Sequence, residues 1–304
     1  MALVTRSNIP SELRPGLAAV FGDWNTYPEL FKSVYKILKS DKAVEYEVEM
    51  EGLGLGKLKQ DGASVAMGNV QQAYTTSYFH QFYGIGVQLS RGMIEDNLYE
   101  SEFPQIALQL RNSLSTLRNI NAMYQFNNAF NEQSQVSNGQ PLCSTAQPIA
   151  TGTLANTFEN QVGLTESAIE EAITIIKQWL NQAGLNINLD PQSLLVPSRL
   201  QFQASRILNS AFRTGTGNND INAISHGKYL PGGMIVNPFL TNPYNWFITT
   251  SETQGFKMYQ RSNLDIDFIM DPLTDNTTIR AVERYSFGCS NWRAVFGVQG
   301  SSAQ

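Results

Sequence analysis

The chain of 304 residues has a net charge of −5 and is 42% hydrophobic but only 15% charged, against about 25% charged in an average soluble protein. That length suffices for two domains, or for one large domain with extensions. Without a Lys or Arg run able to neutralise several phosphates, sequence-specific nucleic-acid recognition is not expected, and no apolar stretch is long enough to span a bilayer.

The start lacks the charged and apolar regions of a signal peptide, so the chain is expected to stay in a cytoplasm, with Cys143 and Cys289 as reduced thiols. Low charge also means less surface built to repel neighbours. It fits a surface occupied by subunit contacts, and equally a monomer rich in Asn and Gln.

Residues 1–24, broken by Pro10, Pro15, Gly16 and Gly22, read as an extended arm. In 27–38, Leu30, Phe31, Val34, Ile37 and Leu38 have helical spacing and predict a short helix. Strict alternation follows, with Glu45, Glu47, Glu49 and Glu51 on one side of a strand and Tyr46, Val48 and Met50 on the other. An acidic strand face implies a solvated or edge position, or a basic partner. Gly52, Gly54, Gly56, Gly62 and Gly68 then punctuate Leu53, Leu55, Lys57, Leu58, Lys59 and Met67, before an aromatic strand region over 72–89. Two strands around a Gly-rich tip predict a long hairpin arm projecting from the body. A short helical piece is expected from Ser90 to Asp96.

Phe103, Ile106, Leu110, Leu114, Leu117, Ile120 and Tyr124 recur every three or four residues and predict one long helix over 103–131, with Pro104 in its first turn. Such a helix is a rod of roughly 40 Å. Its other face carries Gln105, Gln109, Asn112, Ser115, Asn119, Asn121 and Gln125, with Arg111 and Arg118 as the charges inside the rod. A long helix facing bulk water usually carries alternating Glu and Lys. This face suits packing against protein, either within an ordinary core or against a neighbour.

The polar stretch 133–157 reads as a domain boundary. A helix follows from Thr165 to Gly184, then a strand at 194–196, a helix after Ser198, a long Gly/Asn loop over 214–233 that includes Asn218, Asn219 and Asp220, and strands at 234–236 and 246–250. From Phe256 the chain is β-rich, with a hairpin turning at Asp275 and Asn276. Helices and strands segregate, giving an α+β class.

Candidate chemistry is weak. Gly52 to Lys57 resembles a phosphate loop but has the wrong spacing, and Leu58 stands where the metal-binding Ser or Thr is needed. His80 and His226 lack a ligand at i+3 or i+4, no Gly-x-Ser-x-Gly elbow occurs, and Asp265 with Asp267 lacks a calcium loop. Asn276-Thr277-Thr278 matches a glycosylation sequon but reads as a turn. Neither a cofactor nor a metal is expected.

The order of these features resembles that of tailed-bacteriophage major capsid proteins, whose fold is shared with encapsulins. The resemblance also lies in the phrases Leu13-Arg14-Pro15-Gly16-Leu17, Tyr83-Gly84-Ile85-Gly86, Glu95-Asp96-Asn97-Leu98-Tyr99, Leu195-Val196-Pro197 and Gly288-Cys289-Ser290-Asn291-Trp292-Arg293. It implies an N-terminal arm and short helix (1–43), an extended E-loop hairpin (44–72), a peripheral domain with a strand and a long spine helix (73–138), an axial domain (139–256) and a returning β-rich segment (257–304). It further implies a non-enzymatic subunit that self-assembles as hexamers and pentamers into an icosahedral head around double-stranded DNA. Assembly in a bacterial host cytoplasm, a portal and an optional decoration protein come with it. Nothing before Pro28 looks like an internal scaffold, so a separate scaffolding protein, or a chain starting at its mature residue, is expected. Subunit contacts are expected at Glu47, Glu49, Met50, Leu53, Leu55, Lys57, Leu58, Lys59, Arg111, Arg118, Asn218, Asn219 and Asp220. An encapsulin-like compartment shell and a cytoplasmic enzyme with a dispersed site are the alternatives.

Overall fold

The computed structural model describes residues 28–50, 52, 54–62, 64–65, 67, 72–92, 99–212 and 220–301. Along the chain come β1 (Lys36–Lys39), β2 (Val44–Met50), β3 (Gln72–Phe79), β4 (Gln81–Leu89), helix α1 (Tyr99–Asn127), β5 (Gln147–Ile149) and β6 (Gly152–Leu154). They are followed by α2 (Glu166–Lys177), β7 (Pro191–Val196), α3 (Gln201–Asn209), α4 (Ala223–Gly227), β8 (Gly233–Val236), β9 (Trp246–Thr250), β10 (Phe256–Met270), β11 (Thr277–Cys289) and β12 (Val295–Val298).

Two four-stranded sheets carry the fold, in the orders β1-β10-β11-β4 and β12-β9-β7-β8, with β2-β3 and β5-β6 as separate ribbons. The long β10–β11 hairpin turns where expected, with Asp275 at φ 54°. β4 pairs antiparallel to β11, Leu89 opposite Thr277, so the segment before the long helix and the returning tail share one sheet. Helix α1 packs across that sheet.

Three expectations are corrected. The helix predicted over 27–38 is a 3-10 turn, Leu30–Ser33, followed by β1, which runs parallel to β10 with Lys36 opposite Lys257. An isolated short helix is marginal in water. Here β10 offers a backbone ladder instead, and Tyr35 is anchored by its hydroxyl on the Ala122 carbonyl at 2.6 Å. The long helix, 29 residues, starts and ends four residues earlier than read. Its core side is also rotated: Leu110, Leu114, Ser115, Arg118, Asn119, Ala122, Met123 and Phe126 are buried, whereas Ile120 and Tyr124 are about half exposed. The amides do hydrogen-bond as they pack, within their own subunit: Asn121 donates to the Tyr285 hydroxyl (2.9 Å) and Asn127 to the Phe239 carbonyl (3.0 Å). Finally, the loop read over 214–233 is interrupted by α4. Asn222 caps that helix by accepting from the Ile224 and Ser225 N–H groups, which a side-chain amide does well at a helix start.

One continuous core joins the two sheets. Phe126 at the end of α1 stacks on Phe256 at 4.6 Å and meets Phe247 edge-on at 5.2 Å. The segment after β11 completes it, with Trp292 edge-on to Trp179 at 5.3 Å. Fully buried Asn156 fastens the polar stretch 133–157 by donating to the Leu142 (2.8 Å) and Val295 (3.1 Å) carbonyls. A buried amide with its partners in place specifies register more than it adds stability.

Candidate functional site

The ribbon of β2 and β3, with Val44 opposite Phe79 and Met50 opposite Gln72, carries the predicted arm. Side chains alternate across a strand, so the glutamates share one face of β2 and Tyr46, Val48 and Met50 the other. The glutamates point inward. The Glu47 carboxylate receives Lys257 Nζ, the Tyr259 hydroxyl (2.6 Å) and the Ser290 hydroxyl. Glu49 accepts from Arg293 Nη1 at 3.0 Å and from Gln182 Nε2 at 3.4 Å. Arg293 is 2% exposed, donates Nε–H to the Leu180 carbonyl at 2.9 Å and lies 4.4 Å over the Trp292 ring. Burial raises the Glu47 carboxyl, but the three donors outweigh it and hold the group below its usual 4.5.

The acidic face thus meets a basic partner, and that partner is the chain's own returning segment. Glu47 and Glu49 root the arm in its own body. The outward face of the ribbon sets Tyr46, Val48 and Met50 of β2, the last 60% exposed, opposite the exposed Ser77, Thr75 and Gln72 of β3, with Phe79 exposed at its base; Phe82 of β4 is exposed as well. Beyond the ribbon, Leu55, Lys57, Lys59, Val65 and Met67 are exposed, and Leu58 is 98% exposed. Large apolar groups exposed in this number are what interaction surfaces carry.

A second polar cluster lies beneath α1. Arg118 donates Nη1–H to Glu29 at 2.6 Å and Nη2–H to Glu283, and its guanidinium sits 5.9 Å from the Tyr285 ring centre. Glu283 is fully buried, and that burial raises its carboxyl above the usual 4.5 against the pull of Arg118. Arg118 is therefore an internal tie between helix and sheet.

Residues 73–298 match the family model described as phage capsid protein. The chain belongs to that family. No curated protein matches it. Among solved structures, this capsid protein is similar to the virus-like particle from Pyrococcus furiosus, with TM-score 0.56 and 10% identity over 94% of this chain and 99% of that one. It is also similar to the structure of Mycobacterium phage Cain, with TM-score 0.54 and 13% identity over 90% and 91%. The SrpI encapsulin from Synechococcus elongatus gives TM-score 0.55 and 11% identity over 91% and 89%. These likenesses establish the mixed α+β capsid fold common to phage capsids and encapsulins. The protein is a structural shell subunit rather than an enzyme.

Of the remaining contact residues expected in this capsid protein, Arg111 is half-buried on α1 and Asp220 is exposed beside α4. Leu53, Asn218 and Asn219 lie outside the described residues, as do 1–27 and most of the helical piece expected over 90–96. Sequence reasoning missed Tyr46, Val48, Phe79 and Phe82 as surface groups. For Tyr46 and Val48 the signal was present in the alternation of β2, but its two faces were assigned by polarity alone.

Proposed function

We propose that this capsid protein assembles as hexamers and pentamers into an icosahedral phage head around double-stranded DNA, and that its arm lies on a neighbouring subunit through the outer face of β2. The family match, together with a rooted arm whose β2 strand exposes Tyr46, Val48 and Met50, carries this reading. Holding the acidic face on the body leaves Tyr46, Val48, Met50 and the tip residues Leu55 and Leu58 for a partner of the same kind, and burying such surface is the main driving force of association. On this reading 44–72 is the E-loop, 73–138 the peripheral domain with α1 as its spine, 139–256 the axial domain and 257–304 the returning segment. Asp220, with Asn218 and Asn219, belongs to the part of the axial domain that nears the capsomer axis. A separate scaffolding protein, a portal and an optional decoration protein complete the head, which forms in a bacterial host cytoplasm. With a net charge of −5, packaged DNA is met only through isolated cations, without sequence preference.

Expression with its scaffold, followed by sizing and electron microscopy, tests the reading: closed particles are expected, and a chain lacking 52–68 should stay soluble without closing shells. Stable monomers from the intact chain would overturn it. The similarity to an encapsulin favours a second reading, a cellular compartment; shells filled with protein and free of nucleic acid would decide for it.

A further inference from the structure

The arm is joined to the body at two points, and one histidine touches both. His80 is the single residue between β3 and β4, and Ser40 directly follows β1 on the other path into the arm. The buried His80 ring places Nε2 3.1 Å from Ser40 Oγ and Nδ1 2.9 Å from Ser286 Oγ of β11. Ser40 Oγ donates to Glu45 Oε1 at 2.7 Å. Its hydroxyl proton is thereby committed, so Ser40 Oγ accepts from Nε2–H, and Nδ1 accepts from the Ser286 hydroxyl. Glu45 thus fixes the neutral tautomer.

We propose that Ser40, His80 and Ser286 form a pH-sensitive staple across the two hinges of the arm, stiffening its angle while His80 is neutral and loosening it when the imidazole takes a second proton. That proton lands on Nδ1, turns an acceptor into a donor aimed at Ser286 and forces the serine hydroxyl to reverse. It also puts charge into a buried seat. The charged groups facing the ring are Arg284 of β11, Arg261 of β10 and Glu45 of β2. Arg284 also donates to the His80 carbonyl, and Arg261 to the Ser40 carbonyl, each at 3.3 Å. Tyr259 of β10 meets the ring edge-on at 6.4 Å, its hydroxyl engaged with Glu47.

Burial first, then the two guanidiniums, lower the imidazole below its usual 6.5, and Glu45 opposes them. The sign follows: a freed arm takes up the proton first, so the stapled arm is favoured above 6.5 and loses ground as pH falls from there toward the depressed value of the seat. The tie at Glu47 weakens only as pH falls below its own usual 4.5. The staple belongs to the single subunit and is independent of any shell.

Nitroxide labels on Thr75→Cys in β3 and Leu273→Cys at the β10–β11 turn report the arm angle by pulsed electron resonance, since both natural cysteines are buried. The distance distribution should be narrow at about pH 7.5 and broaden at about pH 5.5, the range in which histidine changes charge. In His80→Gln, which cannot titrate there, it should stay the same at both. A native distribution unchanged between the two, or equal broadening in His80→Gln, overturns the proposal. Should that variant not fold, the native chain still decides. With only two histidines in the sequence, His226→Gln assigns the His80 imidazole resonance. Its titration midpoint should lie below 6.5 and coincide with the broadening; a midpoint at or above 6.5, or one that does not coincide, overturns it.

Discussion

Arg293, near the end of the chain, donates to Glu49 of β2 at 3.0 Å across a sequence separation of 244 residues. The root of the arm therefore depends on the returning segment being folded against the body. Because Arg293 is almost fully buried, Arg293→Ala leaves Glu49 facing the body without its cation. Removing one partner of a buried pair costs about 3–5 kcal/mol, and a denaturant melt should show a loss of that order.

Acid should loosen the same root. The folded value of Glu47 lies below its usual 4.5, so its contribution is complete above that value and is lost as pH falls through the depressed one. Melting temperature followed down from neutral pH should drop more steeply below 4.5 in the native chain than in Glu47→Gln. Parallel curves would contradict the carboxylate's role.

Arg118→Ala should behave in the opposite sense with pH. It strands Glu283, fully buried and already raised by that burial, at a cost of about 3–5 kcal/mol near neutrality. Protonating Glu283 removes the stranded charge, so the deficit relative to the native chain should shrink as pH falls through the further raised value. A deficit independent of pH would show that Arg118 acts through packing alone.

The rotated face of α1 predicts an asymmetry between two leucine-like positions. Leu114→Ala, at a site 1% exposed, should cost about 2–5 kcal/mol. Ile120→Ala, at a half-exposed site, should change subunit stability by no more than about 0.5 kcal/mol. Equal losses in chemical melts would restore the stripe read from the sequence.

These residues also show what the sequence could and could not reveal. Period-two alternation made β2 legible, and period 3.6 made α1 legible, because both are local. Whether Glu47 faces water or Lys257 is not local, and neither is the pairing that turns Lys36–Lys39 into a strand against β10. Likewise Arg118 reads only as a charge on the polar face of the rod until Glu29 and Glu283 are brought to it from distant segments. The His80 seat has no spacing signature, since Ser40 and Ser286 reach it from opposite ends of the chain.

The account turns on the outer face of the arm as the surface through which subunits join. Electron microscopy and sedimentation of the native chain and of Tyr46→Asp/Met50→Asp, produced under the same conditions, test this most directly. The account predicts closed shells from the native chain, and soluble subunits with a native-like melt but no shells from the double variant. Shells at native yield from the double variant, or none from the native chain, would contradict it.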